Sequence, residues 1–288
     1  MNNIKDNHPY FSLIIPCLNE QKVLPLLLSD INKQIFSDFE IIVVDGKSED
    51  KTKEIALKNP KTTLIISDKR NVSHQRNLGA KNANGKYLVF FDADTRINDY
   101  FLSGLAYRVQ MCKPDMFSCW AKIEETQSDN QILANLINMS LEIYKFVDSP
   151  SAIGAMMGFR KSVFDSLKGF TCEITFGEDS ELVKRGFKKG YQYIIFKDPR
   201  YYYSLRRFKT EGTLKMLQKY AKLNSSVLLK GYPTNDLNDE YPMRGGLNYL
   251  GKNHKSRFID QIERSIAKLK NVTELKKWMQ YWQRLINE

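Results

Sequence analysis

Two aspartates two residues apart, Asp92 and Asp94 in FFDADT, are the sharpest chemical signal in the sequence. Two carboxylates so spaced at a strand end can hold one hard divalent cation and leave positions for phosphate oxygens. The bare spacing also describes solvated turn carboxylates, so neighbouring segments must decide. VVDGKSEDKT puts Asp45 at the end of an apolar run, where a carboxylate can accept hydrogen bonds from a base N–H or ribose hydroxyls, or close an Asx-turn before a helix. VSHQRNLGAKNANGKY carries Arg76 and Asn77; Arg76 either faces a nucleotide diphosphate or base, or points to solvent. Cys17, Cys112, Cys119 and Cys172 are scattered without metal-type pairing, which suits a reducing cytoplasm.

Elements that could bring these residues together alternate along the first 125 positions. FSLIIP (11–16), FEIIVV (39–44), TTLIIS (62–67) and KYLVFF (86–91) read as buried strands. Helical patterns lie between them. One covers 20–33, with Val23, Leu24, Leu27, Leu28 and Ile31 on one side; a second follows Ser48, with Glu49 and Asp50 in its first turn; a third covers 72–83, before an Asn84-Gly85 turn. Continuous apolar strands separated by helices imply a mostly parallel α/β sheet covered on both faces, the doubly wound arrangement. Ligands of such sheets bind beyond the carboxyl ends of the strands. Those ends carry Asn19 and Glu20, then Asp45, then Asp68, then Asp92 and Asp94. The glycine-rich dinucleotide and P-loop patterns are absent, so a different nucleotide site is required.

Further on, the pattern predicts a strand near 115–123, a helix near 129–147, a loop with Pro150 and Gly154, the segment AMMGFR, a short helix ending at Gly169, a helix through SELVKRG, a strand over 191–196 and a long helix over about 210–230. GYPTNDLNDEYPMRGG reads as a loop, and the last thirty residues read as helical. In 288 residues, 44 Lys and Arg stand against 33 Asp and Glu, a net +11. Residues 1–144 hold 17 basic and 18 acidic side chains and residues 145–288 hold 27 and 15, so the surplus sits in the second half. An anionic partner for that half, or a lysine-rich solvated surface, accounts for it. No stretch approaches the ~18 apolar residues of a membrane span, and MNNIKDNHPY lacks a basic n-region and an apolar h-region, so neither a membrane span nor a secretory leader is expected.

The ordered set IIPCLNE, EIIVVDGKSEDKT, HQRNLGAKNANGKYLVFFDADT, GAMMGFRKSVFDSLKGF and FGEDSELVKRG resembles the family 2 glycosyltransferases, inverting enzymes of the GT-A fold, over roughly residues 10–208. The resemblance implies a catalytic domain over 1–208, with a nucleotide-sugar-binding half at 10–125 and an acceptor half at 126–208, followed by a C-terminal helical extension at 209–288. It implies that Asp45 contacts the nucleoside, that Arg76 helps to hold base or phosphate, and that Pro16 and Asn19 form the nucleotide-proximal turn. Asp92 is placed toward the ribose and Asp94 is the more direct ligand of a manganese or magnesium ion. Glu178 and Asp179 match the acceptor-side motif whose aspartate is the catalytic base. Inversion needs such a base opposite the leaving group, with cations stabilising the departing diphosphate. A carboxylate pair opening a helix also caps it, which is compatible with that role.

One departure stands out. Many relatives carry a metal-binding histidine after the late strand, whereas SLRRF occupies that place here, so Arg206 and Arg207 are expected to bring positive charge to the diphosphate. The expected activity is transfer from a nucleoside diphosphate sugar, a UDP-sugar first, to a sugar, polysaccharide or lipid-linked acceptor. The alternative is a non-catalytic nucleotide-sugar or polyanion-binding module. Nucleic acid is not expected as a partner, since only YYYSLRRF approaches a basic stripe with interleaved aromatics and a protein core explains its tyrosines more simply. Ile259, Ile262, Ile266 and Leu269, then Leu275, Trp278, Met279, Trp282 and Leu285, recur at helical spacing opposite basic residues. They pack on the catalytic domain or lie on an anionic membrane, giving a cytoplasmic protein with peripheral contact at the inner face.

Overall fold

The computed structural model describes residues 8–123, 128–146, 149–211, 213–234 and 246. The first half alternates as the pattern predicts: β1 (Phe11–Cys17), α1 (Leu24–Asn32), β2 (Phe39–Asp45), α2 (Thr52–Lys58), β3 (Thr62–Ile66), α3 (Val72–Lys81) and β4 (Tyr87–Phe91). Next come α4 (Phe101–Cys112), β5 (Met116–Lys122), α5 (Ser128–Phe146), β6 (Met156–Arg160), α6 (Lys161–Ser166), α7 (Glu178–Lys188), β7 (Tyr193–Tyr202), α8 (Arg206–Glu211) and α9 (Thr213–Lys230). Among the described residues no helix is long and apolar enough to cross a membrane. The C-terminal amphipathic pattern over 259–285 lies outside the described residues.

Seven strands form one sheet in the order β3-β2-β1-β4-β6-β5-β7. Pairs β1–β2, β1–β4, β2–β3 and β5–β7 are parallel, while β6 runs antiparallel to both β4 and β5. The period-2 alternation of the strands divides the core between two faces. Leu13, Ile15, Val43, Val89 and Phe91 face the α1 and α4 side, with Leu27, Phe101 and Leu105. Ile14, Val44, Leu88 and Phe90 face the other side, with Ala80, Phe164 and Leu182. Burying both faces is what makes these strands read as unbroken apolar runs.

Helix α1 begins at Leu24, later than the apolar pattern indicates, because Asn19 adopts a left-handed backbone (φ 56°) and breaks the approach to the helix. AMMGFR becomes β6. Helix α4 fills the stretch between β4 and β5, where the pattern gives no element, and β7 runs on to Tyr202. The long helix expected over about 210–230 is matched by α8 (Arg206–Glu211) and α9 (Thr213–Lys230), with residue 212 outside the described residues.

The antiparallel strand β6 brings the segment before it against the end of β4. Phe91, the last residue of β4, pairs with Met156, the first of β6, so the residues just before β6 lie against those just after β4. Asp92 N–H donates to the Ala155 carbonyl at 3.2 Å, and the Thr95 hydroxyl donates to the same oxygen at 2.9 Å.

Helix α3 is held tight to the sheet by a glycine. A Cβ at Gly79 would lie 2.5 Å from Ile14 Cγ2 and 3.1 Å from Val44 Cγ2. Gly79→Val should therefore push α3 off the sheet and lower stability by roughly 1–3 kcal/mol, the usual cost of overpacking a core. A urea denaturation midpoint equal to wild type would show that the contact yields freely.

Candidate active site

The loops after β1 and β2 are stitched together by short polar side chains. Asn19 N–H donates to Ser48 Oγ at 2.8 Å, and Asn19 Oδ1 accepts from Glu49 N–H at 2.8 Å. Asp45 is buried and accepts the Ser48 N–H at 3.0 Å together with the Ser48 hydroxyl, which is the Asx-turn that its position suggests. Pro16 sits buried within β1 in register with Val44. Gln75, which no sequence signal singles out, donates to the carbonyls of Cys17 and Val44 at 2.8 Å each and so satisfies acceptors at two strand ends.

The Asp-x-Asp pair is divided between two arginines. On one side Arg76, with a side chain 3% exposed, donates through Nη2 to Asp92 Oδ1 at 2.9 Å and through Nη1 to Glu178 Oε1 at 2.9 Å. Its guanidinium lies over the Phe170 ring, 5.3 Å from the centroid. Asn77, the next residue, accepts from Phe170 N–H and donates to the Phe170 carbonyl, both at 2.8 Å, so the Arg-Asn pair fixes the chain that covers the arginine. On the other side Arg206 donates to both oxygens of Glu20, at 2.7 and 3.1 Å, and its Nη2 lies 3.2 Å from Asp94 Oδ2. Burial raises the Glu20 carboxyl to about 6, with the hydrogen bonds and charge of Arg206 opposing. Burial also raises Asp94, against the pull of Arg206; Arg207 favours the charged form as well.

Glu178 and Asp179 open α7 after Gly177, whose φ of 79° turns the chain into the helix. Asp179 Oδ1 accepts its neighbour's Ser180 N–H, and Oδ2 accepts Gly154 N–H, each at 2.7 Å. Burial first and the adjacent Glu178 charge second push the Asp179 carboxyl from its ordinary value near 3.8 to about 7, with Arg76 and the two N–H groups pulling down. Thus Asp92, Asp94, Arg76, Arg206, Glu178 and Asp179 converge, with Asp45 and Asn19 building the adjoining loops. Gly154 and Glu20 join them; the first reads in sequence only as a loop glycine, and the second is visible only as a strand-end residue.

Asp92 and Asp94 form a donor set that fits a hard cation whose remaining ligands are phosphate oxygens. Among the described residues no group of three or more His, Cys, Asp and Glu side chains is placed to hold a metal by itself. His74 pairs instead with Asp68 at 2.9 Å.

The mixed sheet with this polar cluster at its strand ends has the GT-A glycosyltransferase fold. It is shared with Staphylococcus aureus TarS 1-349, solved with UDP-GlcNAc (TM-score 0.56, 22% identity, 67% of this chain and 58% of that one). It is shared too with the mannosyltransferase PcManGT of Pyrobaculum calidifontis, solved with GDP-Man and Mn2+ (TM-score 0.57, 20% identity, 79% and 67%). The family model of Glycosyl transferase family 2 matches residues 12–168, more than half of the chain, and the chain belongs to that family. In sequence it is 26% identical over 216 residues to the poly(ribitol-phosphate) beta-N-acetylglucosaminyltransferase TarS of Staphylococcus aureus, covering 68% of this chain but 36% of TarS. It is 27% identical over 258 residues to the dolichyl N-acetyl-alpha-D-glucosaminyl phosphate 3-beta-D-2,3-diacetamido-2,3-dideoxy-beta-D-glucuronosyltransferase of Methanococcus voltae, covering 77% of this chain and 75% of that protein. The chain thus spans about a third of TarS.

The raised Asp179 carboxyl has a consequence for stability. Between about pH 4 and pH 7 the folded protein holds a proton that the unfolded chain has released, so folding weakens as pH rises through that window. Asp179→Asn removes this dependence. The melting temperature of the variant minus that of wild type should climb from about pH 4 to about pH 8; a difference that stays flat would show that Asp179 titrates as an ordinary carboxyl.

Proposed function

We propose that this protein transfers a sugar from a nucleoside diphosphate sugar to an acceptor hydroxyl with inversion at the anomeric carbon. The observation that carries the reading is the position of Asp179. It is a carboxylate raised to about 7, fixed by Gly154, beside an arginine that reaches the Asp92 end of β4. A base with that affinity for protons is half ionised near neutrality and suits general-base catalysis there.

In the reaction Asp179 accepts the proton of the acceptor hydroxyl as the hydroxyl oxygen forms its bond to the anomeric carbon. The bond between that carbon and the diphosphate oxygen breaks, and its electron pair leaves with the nucleoside diphosphate. Negative charge then grows on the diphosphate, where Arg206 and Arg207 supply positive charge. A manganese or magnesium ion held by Asp94 and Asp92 would neutralise the same charge, and the Mn2+ bound to the mannosyltransferase of the same fold supports its use. Asp45, at the end of β2, takes the nucleoside, and Pro16 and Asn19 set the course of the neighbouring turn.

A UDP-sugar is the first choice of donor, supported by the UDP-GlcNAc bound to TarS, with GDP-mannose as the competitor named by the second structure. The two curated relatives named above transfer, by name, to a phosphate-bearing acceptor and form a beta linkage. A beta product from an alpha-linked donor is inversion, and the basic surplus of residues 145–288 suits an anionic or lipid-linked acceptor.

Thermal-shift screening of UDP-, GDP- and dTDP-sugars with and without manganese should select one donor, since a ligand of the folded state raises the melting point. With that donor, Asp179→Asn should lower turnover by roughly 10²- to 10⁴-fold while donor affinity stays near wild type. Glu178→Gln should be milder. Full turnover in Asp179→Asn with loss in Glu178→Gln would move the base to Glu178. Asp94→Ala should weaken UDP binding in the presence of manganese; unchanged affinity by calorimetry would remove Asp94 from the cation site.

A further inference from the structure

The arginine that the family pattern directs to base or phosphate is turned inward in this protein. Both terminal nitrogens of Arg76 meet protein acceptors: Asp92 and Glu178 at 2.9 Å, and the Gly154 carbonyl at 3.4 Å from Nη2. The same glycine holds the base from its other side, because its N–H donates to Asp179 Oδ2 at 2.7 Å. One peptide segment therefore grips the guanidinium with its carbonyl and the carboxylate with its N–H. A Cβ at position 154 would stand 2.6 Å from Arg76 Nη2 and 3.4 Å from Asp179 Oδ2, so a larger residue would drive the guanidinium out of place.

We propose that Arg76 and Gly154 are positioning residues for Asp179, setting its orientation toward the donor by locking α7 to the end of β4, and that Arg76 does not act by contacting the donor diphosphate. The inference rests on the proposed transfer reaction and deepens it. The planar guanidinium reaches acceptors on three segments at once, a geometry that lysine's point charge does not reproduce. Loss of the arginine would also release Asp92 from its ion pair and leave its charge available to a cation. The two roles thus predict effects of opposite sense on nucleotide binding. A positioning arginine can be lost with UDP and manganese binding as well as before or more tightly, whereas a phosphate-contacting arginine cannot.

The test compares wild type, Arg76→Lys, Gly154→Ala and Asp179→Asn as full chains. Calorimetry measures affinity for UDP with manganese, and UDP release from UDP-GlcNAc with water as acceptor gives kcat and KM. Gly154→Ala keeps the arginine and guards against an Arg76→Lys variant that folds poorly because lysine cannot reproduce the buried guanidinium contacts; melting curves check folding. Expected are UDP affinities in Gly154→Ala and Arg76→Lys within about threefold of wild type or tighter, with kcat lowered by about 10²-fold and KM little changed, as a misplaced catalytic group requires. A kcat for Gly154→Ala within about threefold of wild type overturns the proposal. So does a loss of UDP affinity of about tenfold or more in Arg76→Lys, the mark of a direct charge-assisted phosphate contact. Failure of the underlying reading looks different: Asp179→Asn itself then releases UDP as fast as wild type.

Discussion

A guanidinium withdrawn from water is tolerable only if carboxylates surround it, because burying an unpaired charge is far more costly than burying a paired one. Arg76 meets that condition with Asp92 and Glu178, two residues far apart in sequence. The fold is arranged so that the three coincide. Gly79 lets α3 sit close on Ile14 and Val44, β4 ends where Asp92 begins the next loop, and α7 starts with Glu178. Once the charges are matched, Asp179 has little freedom, since its two oxygens accept N–H groups from Gly154 and Ser180.

The second guanidinium is built differently. Arg206 also joins two carboxylates, Glu20 and Asp94, but its side chain is 21% exposed and it opens α8 rather than lying within a packed helix. An ion pair nearer to solvent is weaker and exchanges partners more readily. In the proposed mechanism the two arginines have different tasks: the buried one keeps the site in register, and the more accessible one answers charge that arrives with a ligand. Both pair with the same Asp-x-Asp segment, Arg76 with Asp92 and Arg206 with Asp94.

Much of this was legible in the residues. Apolar runs ending in Asp45 and in Asp92-Ala93-Asp94 follow directly from a parallel sheet with both faces buried, and strand ends are where such sheets bind ligands. The Glu178-Asp179 helix start was also visible, because acidic residues in a first turn leave a recognisable signature. What escaped depends on tertiary pairing. Nothing local marks AMMGFR as antiparallel, and only that direction brings Gly154 beside Asp92. Gln75 satisfies strand-end carbonyls on other segments, and Glu20 meets a residue 186 positions away. Such contacts have no period in the sequence. The burial of Arg76 was hidden for the same reason: an arginine on a helix is ordinarily exposed, and three separate segments are needed to cover this one.

In the proposed mechanism, catalysis depends on one arrangement, a donor lying over the strand ends with the base held behind it by Arg76 and Gly154. Its most direct measurement is a crystal structure of the protein with UDP-GlcNAc and manganese. The arrangement predicts the diphosphate beside Asp94 and Arg206, the anomeric carbon open to Asp179, and Arg76 still paired with Asp92 and Glu178. A nucleotide bound away from the strand ends, or Arg76 swung from Glu178 onto the diphosphate, would contradict it.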